Sequence, residues 1–379
     1  MKEKFLRELA DIQTGPFGSQ LHKEDYVADG TPIVTVEHLG NKMFSEQNLP
    51  RVSNTDKNRL KKYVLKQGDI VFSRVGSVDR CSYVDQKHDG WMFSGRCLRV
   101  RPTSEIDSEY LYYYFCLEET KQFVRNIAVG ATMPSINTKL LGEVVVTFPE
   151  LEQQKRISGI LSAIDSKIEV NQKINDNLEQ QAAALFSSLY NRSNTEVRYT
   201  DLIQILGGGT PKTGETAYWN GNIAFFTPKD VGTPYTFITE KTITEEGLSH
   251  CNSRLYPVNT VFVTARGTVG KVGLSGVPMA MNQSCYALVG KETHQLLVYF
   301  YTLKVVDKLK HKASGAVFDA ITTRDFESEQ IMKLSDDDAR AFLCVAEPMF
   351  QDILNNSIEK LAAFNTTGFP VAQAHVRRD

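Results

Sequence analysis

The sequence predicts an α+β protein with an internal pseudo-two-fold repeat. Two similar mixed α/β lobes are separated by two long helices that form an antiparallel coiled coil. Three observations predict it: a self-similarity between the two halves of the chain, a heptad seam after the first lobe, and a second helical segment after the second lobe. At an offset of 185 residues, Tyr110-Leu111-Tyr112-Tyr113-Tyr114-Phe115 answers to Gln295-Leu296-Leu297-Val298-Tyr299-Phe300, and residues 130–139 answer to 315–324. At an offset of 191, Ile70-Val71-Phe72-Ser73-Arg74-Val75-Gly76-Ser77-Val78 answers to Val261-Phe262-Val263-Thr264-Ala265-Arg266-Gly267-Thr268-Val269. The three matches keep the same order, and the drift in offset is what insertions in surface loops produce.

Lobe one occupies residues 1–149. Short apolar runs bounded by Gly and Asp, at 32–36 and 69–73, read as strands. The stretch 108–125 carries apolar residues at helical spacing. Its tyrosines share the stripe of Leu111 and Phe115, so they are read as core. From 150 to 190 the pattern is a helix: Pro149 precedes it, and Glu150 and Glu152 suit the positive end of its dipole. Ile157, Leu161, Ile164, Ile168, Leu178, Ala182, Leu185 and Leu189 alternate spacings of four and three, apart from a polar break holding Asn171 and Asn175. That is a coiled-coil seam, in which a seam asparagine fixes register. One amphipathic helix lying on a globular core is the alternative reading. Such a helix would extend roughly 60 Å.

Lobe two occupies 191–334, with a helical stretch at 293–312. The second spacer helix, 335–364, opens with Ser335 as N-cap before three aspartates. It runs through Phe342, Val345, Met349, Ile353, Ile358 and Leu361, and Pro348 is expected to kink or interrupt it. A tail, 365–379, does not continue the helix. Chain geometry favours an antiparallel return of the second helix along the first, with the lobes at opposite ends.

Composition narrows the function. The 379 residues are enough for two or three domains, and 41% hydrophobic with 23% charged residues argues for a folded chain. The net charge is −2 overall, +1 over 1–149 and +2 over 191–334, so negative charge concentrates on the helices. The charged start, Met1-Lys2-Glu3-Lys4, is unlike a signal peptide, and no window is apolar enough to span a bilayer, so a cytoplasmic location without membrane association is expected. Six cysteines without a C-x-x-C pair suggest neither zinc nor dithiol chemistry, and no metal site is expected. There is no amino-methyltransferase signature, no G-x-x-x-x-G-K-[ST] loop, no H-E-x-x-H and no G-x-S-x-G. No catalytic residues are therefore assigned. Gly207-Gly208-Gly209-Thr210-Pro211-Lys212 is a weak phosphate-cradle candidate, against a DNA-backbone contact or a simple turn.

The Gly68-Asp69-Ile70-Val71-Phe72-Ser73-Arg74 turn, Pro134-Ser135-Ile136-Asn137, and Pro149-Glu150-Leu151-Glu152-Gln153-Gln154-Lys155-Arg156-Ile157 leading to Ile164-Asp165 carry a resemblance. Together with the two-lobe plan they resemble the specificity subunit of type I restriction-modification systems, over residues 1 to about 364. The second copy departs from this pattern, with Leu334-Ser335-Asp336-Asp337-Asp338-Ala339-Arg340 at the corresponding place. The resemblance implies a non-catalytic subunit with two target-recognition domains, each reading one half of a split double-stranded DNA sequence, and a coiled coil as spacer. It implies two modification (methyltransferase) subunits as partners, restriction subunits reached through them, and no cofactor in this chain, with S-adenosylmethionine and ATP on the partner subunits.

Features shared by both lobes are read as scaffold or phosphate clamps, and those that differ as base readers. Arg74 and Arg266, with the adjacent Arg80 and Lys271, are the phosphate candidates. Gln20 and Lys23 in lobe one, and Lys212, Asn282 and Gln283 in lobe two, are the groove candidates. The spacer and partner interface is assigned to Ile157, Leu161, Ile164, Ile168, Asn171, Leu178, Leu185, Met349, Ile353 and Leu361. Competing readings are a protein-interaction scaffold of the same shape that does not bind DNA, and an enzyme with a site between lobe and helix.

Overall fold

The computed structural model describes residues 1–367 apart from Ser19, Thr233 and residues 313–319. The repeat segment 315–319 and the tail from 368 onward therefore lie outside the described residues. The chain divides into two compact units, residues 1–169 with 360–379, and residues 170–359.

In the first unit, Ala10–Thr14, Cys97–Pro102, Ile70–Ser73 and Cys81–Tyr83 form a four-stranded antiparallel sheet in that order. A smaller sheet adds Met92–Phe93 parallel to Thr31–Val34, and Lys2–Phe5 pairs antiparallel with Val145–Phe148. Ile70–Ser73 is buried along its whole length. Its side chains alternate between faces: Ile70 and Phe72 enter the core under the helix Ser108–Cys116, and Val71 enters the core against the smaller sheet. A strand covered on both sides reads as an unbroken apolar run, which is why this segment stood out in the sequence.

The second unit repeats the plan. Ile203–Gly207, Cys285–Gly290, Val261–Thr264 and Val272–Ser275 stand in the same order, with Tyr235–Thr236 added at the edge. Met279–Met281 lies parallel to Trp219–Phe226, and Thr195–Arg198 pairs with Gln330–Lys333. Val261 and Val263 enter one core and Phe262 the other, the same alternation as at 70–72.

The helical stretches differ. The stretch at 293–312 forms one helix, Gln295–Lys312, whereas 108–125 is divided between Ser108–Cys116 and Glu118–Ile127, because Leu117 adopts an extended conformation between them. Tyr112 and Tyr113 are buried, in agreement with the core reading of the tyrosines.

The first long helix runs Leu151–Arg192. Within the first unit its start is held to lobe one by polar contacts. Buried Gln154 accepts from the Asp107 amide (2.8 Å) and donates to the Pro149 carbonyl (2.9 Å). Tyr113 donates to Asp165 (2.6 Å), and Lys42 bridges Glu109 and Ser162. Leu161 packs on the lobe-one core, and Ile157, Ile164 and Ile168 are half-buried.

The second long helix is Asp336–Thr367, with Ser335 Oγ accepting from the Asp338 amide (3.1 Å) as its cap. Within the second unit it runs antiparallel to 170–192: Phe186 meets Phe342 edge to face at 5.5 Å, and Asn356 donates to Asn175 (2.8 Å). Asn171 donates to Glu359 (3.0 Å). Leu178 and Leu185 flank the shared core, beside Met349 and buried Ile353. Leu361, in the first unit, is half-buried.

Two expectations for this helix are corrected. Pro348 lies inside a helix that continues past it, so of the two effects expected, a kink or an interruption, the interruption does not occur. The acceptor it leaves without its usual donor is the carbonyl of exposed Cys344, which water can reach, and burial of Phe342, Ala346, Phe350 and Ile353 offsets the proline cost of about 3 kcal/mol. Val345 and Ile358 face outward, 45% and 47% exposed, while Ala346 and Phe350 face inward. Phe342 and Ile353 keep their expected places, while Ala346 and Phe350 are buried beside them because Phe350 joins the aromatic cluster of Phe300 (5.6 Å) and Tyr299 (5.7 Å).

Candidate nucleic-acid interface

The strand Ile70–Ser73 ends in a turn that returns through Arg80, where the Ser73 amide donates to the Arg80 carbonyl (2.9 Å). Gly76 has φ 75° and its counterpart Gly267 has φ 81°, a left-handed conformation that glycine adopts at little cost. Both turns are pinned to a further loop by an isolated bridge, Val75 with Ser135 and Arg266 with Ala320. The repeat thus extends from the sheets into the turns that carry the predicted cations.

In lobe one, three loops converge. The Arg74 amide donates to the Arg96 carbonyl (2.8 Å), and its guanidinium donates to the Gly95 carbonyl (3.2 Å) and lies over the Phe17 ring, 5.6 Å from the centroid. Arg74 is half-buried, and Arg80 and Arg96 are exposed. Asp79 in the same turn is paired with Arg125 (2.5 Å), which leaves the turn's arginines unopposed by it. The Gln20 side-chain oxygen accepts from Tyr63 (2.6 Å) and its carbonyl from Arg59 (2.9 Å), which ties it to its own loop. The Lys23 side chain lies outside the described residues.

In lobe two the same positions carry different chemistry. Arg266, Lys271, Lys212 and Gln283 are exposed. The amides of Ala265 (2.8 Å) and Arg266 (3.3 Å) donate to the Ser284 carbonyl. Thr210 donates to Gln283 Oε1. Asn282 is committed to its turn, accepting from the Ser284 amide (3.0 Å) while its own amide donates to Phe226 (3.0 Å). The glycine run is a close-approach device: a Cβ on Gly208 would sit 2.2 Å from the Asn282 carbonyl oxygen, and the Gly209 amide already donates to Met281 (3.1 Å). That amide is not free for a phosphate.

The structure therefore gathers Arg74 and Arg80 at one set of loop tips and Arg266, Lys271 and Gln283 at another. Phe17, Arg96 and Thr210 were not picked out from the sequence, although Gly15-Pro16-Phe17-Gly18 is a turn signature that leaves its aromatic without a regular element to bury it.

The two cysteines beside these clusters are not activated. Cys97 and Cys285, at equivalent strand starts, are buried, and burial pushes the Cys97 thiol up to about 12 and the Cys285 thiol further in the same direction. Among the described residues no group of three or more His, Cys, Asp or Glu side chains is arranged to hold a metal ion, and no helix is long and apolar enough to cross a membrane. Exposed arginines on loop tips bind phosphates, and adjacent amide and aromatic groups can read base edges.

Comparison with known proteins gives a consistent picture. The family model described as the type I restriction modification DNA specificity domain matches twice, over residues 1–180 and 191–333. The type I restriction enzyme MjaIX specificity subunit of Methanocaldococcus jannaschii is 28% identical over 174 residues, 43% of this chain and 40% of that protein. The HindI specificity subunit of Haemophilus influenzae is 23% identical over 384 residues, 79% of this chain and 83% of that protein. A crystal structure of the type I restriction-modification S subunit from M. genitalium has the same fold, with a TM-score of 0.60 at 15% identity, covering 96% of this chain and 93% of that one.

Proposed function

We propose, for a chain that belongs to the family of type I restriction-modification specificity subunits, that each lobe reads one half of a split double-stranded DNA sequence through its loop cluster. Sequence-specific DNA recognition within a restriction-modification system is the role of this family, and catalysis lies in other subunits. The observation that carries the finer reading is the combination of one framework used twice with loop tips that differ: Phe17, Gly95 and Arg96 in lobe one stand where Thr210, Gln283 and Ser284 stand in lobe two. Shared turns suit phosphate contacts that are indifferent to sequence, and unlike tips suit two different base sequences.

In this reading the long helices set the gap between the half-sites and receive two modification subunits, which bring restriction subunits with them. Support comes from Val170, Ile174, Val345 and Ile358 of the second unit, all exposed apolar side chains on the long helices. S-adenosylmethionine and ATP are then bound by the partner subunits, and the complex works in the cytoplasm.

The test is co-expression of the chain with its modification subunit in a host, followed by sequencing that maps methylated adenines. The expected result is a motif of two specified blocks separated by a fixed number of unspecified bases. A single continuous motif, or no methylation that depends on this chain, contradicts the reading.

A further inference from the structure

We propose that Phe17 is a specificity-determining residue that contacts the methyl group of a thymine in the half-site read by lobe one. This inference rests on the two-half reading above. Phe17 is 53% exposed, yet its loop is tightly held. A Cβ on Gly15 would lie 2.2 Å from the Ser94 carbonyl oxygen and one on Gly95 would lie 2.4 Å from that of Pro16, so the two loops cross backbone to backbone. The Phe17 carbonyl accepts from the Gln20 (2.8 Å) and Leu21 (3.2 Å) amides. A single exposed aromatic is ordinary on a protein surface, so it is the company of Phe17 that points to a partner. Arg74 beside it, with exposed Arg80 and Arg96 on the adjoining loops, makes that partner polyanionic.

The mode of contact follows from the ring's surroundings. The Arg74 guanidinium covers one face of Phe17, so the ring is not open to being sandwiched between two bases as a wedge would be. Its edge and other face remain, and the apolar feature of a base edge in the major groove is the thymine methyl. The counterpart in lobe two is Thr210, whose hydroxyl is given to Gln283, so lobe two has no aromatic ring at this position.

The experiment uses the full chain assembled with its modification subunits and duplexes carrying the mapped target, with each thymine of the lobe-one half replaced in turn by uracil. At one position the replacement weakens binding of the unaltered protein about four-fold, the worth of one buried methyl. Phe17→Ala binds the thymine and uracil duplexes equally, and Phe17→Leu keeps part of the discrimination. The inference is overturned if every uracil duplex binds as tightly as its thymine parent, if the lobe-one half contains no thymine, or if Phe17→Ala still discriminates. DNA bending that vanishes in Phe17→Ala while thymine and uracil bind alike would point to a wedge and also overturn it. Failure to find any half-site that depends on lobe one would remove the two-half reading itself, and this inference with it.

Discussion

Lobe one and lobe two differ least where they are buried and most where they meet solvent. The central strands Ile70–Ser73 and Val261–Thr264 divide their side chains between two cores in the same way, and Gly76 and Gly267 turn the chain with the same left-handed geometry. At the tips, lobe one presents two exposed arginines and an aromatic ring, whereas lobe two presents one arginine, two lysines and an amide tethered by a threonine. The lesson is that packing constrains the frame, while the loops it holds can change their chemistry without changing the fold.

One buried difference offers the strongest way to break the comparison. Asp69, just before its strand, is 1% exposed and accepts from Arg101 through both oxygens at 2.7 Å; its counterpart Thr260 instead donates to the Pro257 carbonyl (2.8 Å). Asp69→Ala removes the carboxylate that takes two hydrogen bonds from Arg101, whose remaining bond is to the Val64 carbonyl, and should cost about 3 kcal/mol. Thr260→Ala should cost only about 1 kcal/mol. Thermal melts of the full chain should show the larger loss for Asp69→Ala, and equal losses would mean that the two frames are secured alike.

The next effects concern recognition. Gln283→Ala should relax one base position of the lobe-two half by about 1–3 kcal/mol and leave the lobe-one half unchanged, read by competition binding with single-base variants. Arg266→Ala should weaken binding to all sequences and lower the salt slope of log K by about one, as a phosphate contact does; an unchanged slope rejects that role. The smallest change is expected for Thr210→Val, which releases Gln283 and should blunt the same lobe-two position by about 0.5–1 kcal/mol.

The frame was largely legible because it rests on repeated local signals. The offset matches predicted the duplicated sheets, and the four-three spacing predicted the helix now seen at Leu151–Arg192. The reading failed where tertiary contacts choose between neighbouring residues. Val345 and Phe350 both suit a helix seam by spacing, and only the aromatic cluster around Phe300 selects Phe350. The same cluster takes Phe186, which the heptad reading passed over in favour of Leu185. Arg74, Arg80, Arg266 and Lys271 were visible as cations on repeated turns, and Gln283 as a polar loop residue. Phe17 was not, since the Gly15-Pro16-Phe17-Gly18 turn marks an exposed aromatic but not its neighbours, and only the fold brings Arg74 beside it. Gln20 and Asn282 each give their side-chain oxygen to a neighbour in the fold, as Gln283 does to Thr210.

On the proposed reading, two loop clusters on one repeated frame read two separate stretches of DNA. It is tested most directly by mapping methylated sites for two variants, Arg74→Ala with Arg96→Ala in lobe one, and Arg266→Ala with Gln283→Ala in lobe two, each assembled with the modification subunits. The predicted result is that each pair relaxes base preference in a different block and leaves the other block as it was. Relaxation of the same block by both pairs, or of neither, would contradict it.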